Sequence, residues 1–356
     1  MGDVRMDVTA ATGPARPLAG RVAVVAGATR GAGRGIARML GEAGATVYCT
    51  GRSTRAGLAL SAVRDGRAET IEETAALVDA AGGRGIAVRV DHGVEAEVIA
   101  LFERVKADHG RLDVLVNDIW GGDPLTEWGT PFWRLDLDKG RRLLDTAVWT
   151  HVITARHGAP LMVERGHGLI VEVTDGDFTG YRGTLFYDLA KLATIRLAYD
   201  MAQDLAGTGV TALCVTPGFL RSEAVLDHFG VAESNWRDAV AADPFFAFSE
   251  TPNFVGRAVA ALAADAGVGA RSGGLYASWT LAKEYGFDDV DGRRPDWGRD
   301  FKAAIGVVVD RPGALEAGER ELLQVRLWQV ERDAGAVEEA GRLRERLQRE
   351  GVAVVG

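Results

Sequence analysis

Tyr187 and Lys191 stand four residues apart in Phe186-Tyr187-Asp188-Leu189-Ala190-Lys191. On a helix that spacing puts the phenol and the ammonium on one face. A phenol beside a cation can give up or take a proton. A free tyrosine titrates at about pH 10, and bringing it to neutrality takes about 4 kcal/mol of extra stabilisation of the phenolate. Taken alone, the pair equally describes one buried ring and one solvated amine. A second constellation lies far upstream. The turn Gly27-Ala28-Thr29-Arg30-Gly31-Ala32-Gly33 follows the strand-like run Val22-Ala23-Val24-Val25-Ala26 and opens the helical pattern Ile36-Ala37-Arg38-Met39-Leu40. In such a strand–turn–helix unit, backbone N–H groups and a helix N-terminus receive a pyrophosphate. Ile36 holds the place of the last glycine in Gly-x-Gly-x-x-Gly, so the spacing is looser than that fingerprint. Tight-turn packing alone explains such a loop, but not its company with the tyrosine and lysine.

Positioning these groups requires a large ordered scaffold. The chain has 356 residues, 47% hydrophobic and 26% charged, an enzyme-like composition with room for one large core. Short apolar runs alternate with helical patterns: Val22–Ala26, Thr46–Thr50, Gly85–Val90, Val114–Asn117, Leu169–Val173, Thr211–Thr216 and Gly274–Ala277. Near-continuous Val, Leu and Ile is what a parallel sheet covered on both faces requires. The expected fold is α/β, a Rossmann-like doubly wound parallel sheet of about seven strands with a C-terminal extension. Residues 1–19 lack the apolar segment of a signal peptide and read as a flexible tail; 20–294 form the domain; 295–356 form an appendage, either a small α/β unit or an oligomer arm. Residues 53–68 and 219–251 are long connections, the kind that cover functional sites or else are disordered. Net charge of −9 argues against nucleic-acid binding, and no run approaches the roughly 20 apolar residues of a membrane span. Cys49 and Cys214 read as packing residues, which favours a reducing cytoplasm. His151, His157 and His167 lack a closing set of ligands, so no metal site is expected.

In its order of motifs the chain, over roughly 19–294, resembles the short-chain dehydrogenase/reductase superfamily. Leu115-Val116-Asn117-Asp118-Ile119-Trp120-Gly121-Gly122 is similar to the family's Asn-Asn-Ala-Gly segment, and Pro217-Gly218-Phe219-Leu220-Arg221-Ser222 to its Pro-Gly loop. The stretch Leu281–Arg293 and the Gly51-Arg52 pair ending the second strand resemble the branch typified by dehydrogenase/reductase family member 1. The resemblance implies an oxidoreductase with a dinucleotide cofactor held by Gly27, Thr29, Arg30, Gly31, Ala32, Gly33, Arg52, Ser53, Asp91, His92, Asn117, Tyr187, Lys191, Pro217, Gly218, Phe219 and Leu220. It also implies a homodimer or homotetramer. An acidic residue after the second strand would bind a ribose 2′-hydroxyl; here Arg52, Ser53, Arg30 and Arg55 suit a 2′-phosphate, so NADP(H) is expected, against solvated surface arginines as the plainer account.

The chain departs from that family at two positions. The catalytic serine expected after the fifth strand is absent from Val171-Glu172-Val173-Thr174-Asp175-Gly176-Asp177; register favours Asp175 and a residue count favours Thr174. A threonine or a protonated Asp175 could donate to a carbonyl oxygen, whereas an ionised Asp175 would suit a cationic substrate such as an iminium. The helical asparagine is missing from Leu144-Asp145-Thr146-Ala147-Val148. Trp120, Trp128, Trp133 and Tyr181 line a substrate pocket, or else pack in the core or make lid contacts. The expected function is NADP(H)-dependent reduction of a carbonyl or imine in a small organic substrate. In that scheme Tyr187 acts as acid and Lys191 as its activator. The alternative is a cofactor-binding sensor or scaffold.

Overall fold

The computed structural model describes residues 16–60, 68–331, 334–352 and 354. Seven parallel strands form one sheet in the order β3-β2-β1-β4-β5-β6-β7. They are β1 Val22–Ala26, β2 Thr46–Gly51, β3 Arg84–Arg89, β4 Val114–Asn117, β5 Gly168–Val173, β6 Val210–Thr216 and β7 Leu275–Ala277. The expected doubly wound sheet is present. Side chains alternate along each strand, and both faces are apolar. Ala23 and Val25 enter one core with Val171 and Leu213, while Val22 and Val24 enter the other with Ile170 and Ala212.

The strand order reverses between β1 and β4, which pair in the register Ala26 to Asn117. At such a switch point the loops leaving the strand ends part and open a crevice. Here it lies between the glycine turn after β1 and residues 118–122 after β4. Among the described residues no helix is long and apolar enough to cross a membrane.

Of the tail expected at 1–19, residues 1–15 lie outside the described residues, but Leu18 is buried in the core and its N–H donates to Ala43 O. In the connection 53–68, a short helix covers Arg55–Leu60 and residues 61–67 lie outside the described residues. The stretch 219–251 is largely helical: Glu223–Phe229 and two 3-10 segments, Glu233–Ala241 and Pro244–Phe248, close on the buried rings of Trp236 and Phe246.

The appendage contradicts the α/β alternative. Its described part is three helices, Trp297–Asp310, Ala317–Val330 and Val337–Arg349, around their own small core. Ile305–Val309 resembles a strand because four of its five residues are apolar. Yet Phe301, Ile305 and Val309 are the buried ones while Val307 is 70% exposed, a four-residue rather than a two-residue period.

Candidate active site

The helix Leu185–Asp204 begins after Thr184 and carries Tyr187 in its first turn and Lys191 one turn on. It packs against β5 and β6, so both side chains reach the crevice at the strand ends. Asp175, two residues beyond β5, meets them there: the Tyr187 hydroxyl donates to Asp175 Oδ2 at 2.5 Å. Thr174 is buried, and its hydroxyl donates to the Lys191 carbonyl at 2.8 Å. Both side chains thus meet the same helix: Asp175 faces the tyrosine, and Thr174 braces the backbone one turn on.

Trp120 meets the Tyr187 ring edge-on at 5.5 Å and Trp128 lies tilted at 5.0 Å. The Lys191 ammonium lies 4.0 Å over Trp120 and 5.6 Å from the Tyr187 ring centre. Trp133 is 70% exposed and meets Phe132, so of its alternatives core packing does not hold. Burial and then the Asp175 carboxylate hold the Tyr187 phenol well above its ordinary range, opposite to the lowering expected from Lys191. Burial lowers Lys191, with Asp175, Asp118 and Asp123 opposing. In this state Tyr187 is a neutral donor throughout the physiological range.

A buried network lies at the ends of β4 and β5. Asn117 Nδ2 donates to Glu172 Oε1 at 2.7 Å, Glu172 Oε2 lies 2.5 Å from His151 Nδ1, and His151 Nε2 lies 3.0 Å from Ile119 O. Burial opposes charge on His151, but Glu172, the Ile119 carbonyl and Asp118 together raise the ring above its usual value. The position of the missing asparagine falls in a π-helical turn, Asp145–Trp149, directly before the helix that carries His151. His157 and His167 point elsewhere, to Glu95 and Arg21.

The glycine turn fits a pyrophosphate. Gly27 has φ +90°, and a Cβ there would come within 2.2 Å of Asp118 O; one on Gly33 would come within 2.5 Å of Gly27 O. Two carboxylates already satisfy this turn: Gly31 N–H donates to Glu223 Oε2 at 2.8 Å and Gly33 N–H to Asp118 Oδ2 at 2.5 Å. They show that these amides donate to anionic oxygen. Burial raises Asp118 to about 7, opposed chiefly by Lys191. Thr29 and Ala32 are buried beneath the turn. Neither acid was singled out in the sequence, although Asp118 adjoins Asn117 and Glu223 follows the Pro-Gly loop.

Arg52 is exposed and makes no hydrogen bond or ion pair with a described residue, and Ser53 lies half-buried beside it. Arg30 lies 4.0 Å from Glu69. Asp91 forms a local turn, accepting from Gly93 N–H at 3.0 Å. The His92 side chain is buried between the hydroxyls of Thr50 and Thr154, at 2.8 and 2.9 Å, and burial lowers it to about 3. Pro217 leads into Gly218, whose N–H donates to Glu250 Oε2 at 3.0 Å. Phe219 packs on Phe246 and Trp297, and Leu220 bridges to Glu250.

A doubly wound sheet with a glycine-lined switch point and a Tyr-x-x-x-Lys helix at its strand ends defines a dinucleotide-binding oxidoreductase. The model of the short chain dehydrogenase family matches residues 21–228. The chain is 36% identical over 282 residues to mouse dehydrogenase/reductase SDR family member 1, covering 78% of this chain and 85% of that one. To the human protein of the same name it is 35% identical over 289 residues, covering 78% and 86%. The crystal structure of hydroxysteroid dehydrogenase from Escherichia coli shares the fold, with a TM-score of 0.58 and 22% identity over 73% of this chain and 96% of that one. The chain belongs to the short-chain dehydrogenase/reductase family, whose members use nicotinamide cofactors.

Proposed function

We propose that this protein is an NADP(H)-dependent reductase acting on a C=O or C=N group of a small organic substrate. The observation that carries this reading is the 2.5 Å bond from the Tyr187 hydroxyl to Asp175 in a site walled by Trp120 and Trp128. The cofactor would be held by the Gly27–Gly33 turn, by Arg52 and Arg30 at its 2′-phosphate, and by the Pro217–Leu220 loop. When bound, it supplies the hydride. Tyr187 stands protonated and donates its proton to the substrate atom that gains negative charge, and Lys191 stabilises the phenolate left behind. Asp175 orients the tyrosine and, when ionised, favours a substrate with positive charge at the reacting nitrogen.

Further features of the fold support a homo-oligomer in a reducing cytoplasm. Trp149, Leu189 and Tyr199 lie exposed on two neighbouring helical segments, and both cysteines are free.

NADPH consumption with a panel of ketones, aldehydes and cyclic imines tests the reading. Tyr187→Phe should bind NADPH normally and lose about a hundredfold in turnover, the order expected for removing a general acid. NADPH bound by the parent chain but never consumed would replace the reductase with a sensor.

A further inference from the structure

The loop between β5 and the catalytic helix, residues 174–184, is folded around one buried guanidinium. Arg182 Nε donates to Asp175 O at 2.8 Å, Nη2 to Phe178 O at 2.5 Å, and Nη1 to Gly180 O and Asp188 Oδ1, both at 3.2 Å. Its plane lies 4.4 Å over the Phe178 ring. This loop fixes the backbone from which Asp175 reaches Tyr187. Its outer side is met by the C-terminal extension. Tyr181 N–H donates at 3.2 Å to the carbonyl of Trp328, in the last turn of the helix Ala317–Val330, and the two rings meet at 5.2 Å. Gly180 lies so close beneath that helix end that a Cβ would come within 2.0 Å of Trp328 O. The extension also reaches the loop after β6. Trp297 packs on Phe219 at 5.7 Å, and a Cβ on Gly218 would come within 2.8 Å of the Trp297 Cβ.

We infer that the C-terminal extension is a working part of the active site: Trp328 is a positioning residue that braces the 174–184 loop, and with Tyr181 it forms the outer wall of the substrate pocket. The inference builds on the reductase reading and adds a role for residues outside the matched family region. A helix end that braces the substrate loop acts on substrate binding. It leaves the glycine turn, more than half the chain away in sequence, undisturbed. Loss of the brace therefore raises KM for the substrate and spares the NADPH affinity.

The test uses the full-length chain with Trp328→Ala, Trp328→Phe and Gly180→Ala. Amide hydrogen exchange should accelerate about tenfold in 176–183 for Trp328→Ala and Gly180→Ala, about 1.4 kcal/mol of local opening free energy. Trp328→Phe should restore the parent rate by replacing the ring. NADPH affinity, followed by its fluorescence, should stay within about twofold in all three, which also shows that the sheet is folded. With cyclohexanone and the bulkier 4-phenylcyclohexanone as probes, KM should rise about tenfold for Trp328→Ala at little cost in kcat, and the preference between the two ketones should change. Unchanged exchange in 176–183 would overturn the inference. So would faster exchange with unaltered KM and ketone preference, because the extension would then be packing only. A parent chain that consumes no NADPH with any carbonyl or imine but shows the exchange pattern would remove the reductase reading and confine Trp328 to bracing the loop.

Discussion

Asp175 is the side chain that meets the Tyr187 hydroxyl, and its chemistry differs from a hydroxyl in one decisive way. An ionised carboxylate accepts hydrogen bonds and cannot donate one. The structure shows it accepting from Tyr187, and that contact helps hold the phenol protonated. Hydride addition to an iminium needs little from an acid and gains from a nearby anion; hydride addition to a ketone needs donors. Asp175→Ser should therefore lower activity on a cyclic iminium by about tenfold or more while preserving or improving ketone reduction, since charged hydrogen bonds contribute about twice what neutral ones do. Parallel assays on both substrates check this, and equal changes in the two rates would count against a charge-selective role. Arg52 supports a second prediction at this scale. Because it engages no described partner, Arg52→Ala should leave stability within about 0.5 kcal/mol. It should also erase most of an NADPH-over-NADH preference of about tenfold, or about 1.4 kcal/mol, measured as two dissociation constants. Equal affinities in the parent chain would sink the NADP(H) assignment.

Among the elements, the Pro217–Leu220 loop is set by one buried carboxylate. Glu250 Oε2 accepts both Gly218 N–H and the Ser278 hydroxyl, at 3.0 and 2.7 Å, while Oε1 is buried without a hydrogen-bond partner among the described residues. Burial raises it to about 8, against the two hydrogen bonds that lower it. An unfolded glutamate titrates at about 4.3. Below that value both states are protonated and the group is neutral to stability. Between there and about 8 the unfolded chain ionises while the folded chain keeps its proton, so stability falls as pH rises, and above about 8 the loss is complete. Glu250→Gln keeps a carbonyl for both donors and removes the ionisation. It should match the parent near pH 4.5 and exceed it by a few kcal/mol, at most about 5, at pH 8.5. Denaturant unfolding at the two pH values measures this; a gap that does not grow with pH would contradict it. The strands were legible because a fully covered parallel strand must be written as a continuous apolar run. The extension was not, because Ile305-Gly306-Val307-Val308-Val309 carries the same composition with a helical burial period that only the packing partners reveal. Tyr187, Lys191 and the glycine turn were legible because their chemistry depends on local spacing. The Glu223 cap on Gly31 and the Trp328 brace on Tyr181 join residues distant in sequence, where no spacing rule reaches.

Taken whole, the molecule carries two thiols, and the sheet order places them almost symmetrically. Cys49 lies on β2, one strand in from the β3 edge, and Cys214 on β6, one strand in from the β7 edge. Both are fully buried; burial pushes Cys49 up to about 12 and Cys214 well above its ordinary range. The thiolate is the reactive form, so neither sulfur should be alkylated or form a mixed disulfide while the sheet is closed. Each therefore becomes a clock for the opening of its own half of the molecule. Trapping with iodoacetamide in mild denaturant, read by peptide mass, should label Cys49 and Cys214 at one common rate if the seven strands open as a single cooperative unit. A faster Cys49 would mean that the nucleotide-binding half, β1 to β3, breathes on its own while the half that carries Tyr187 stays shut.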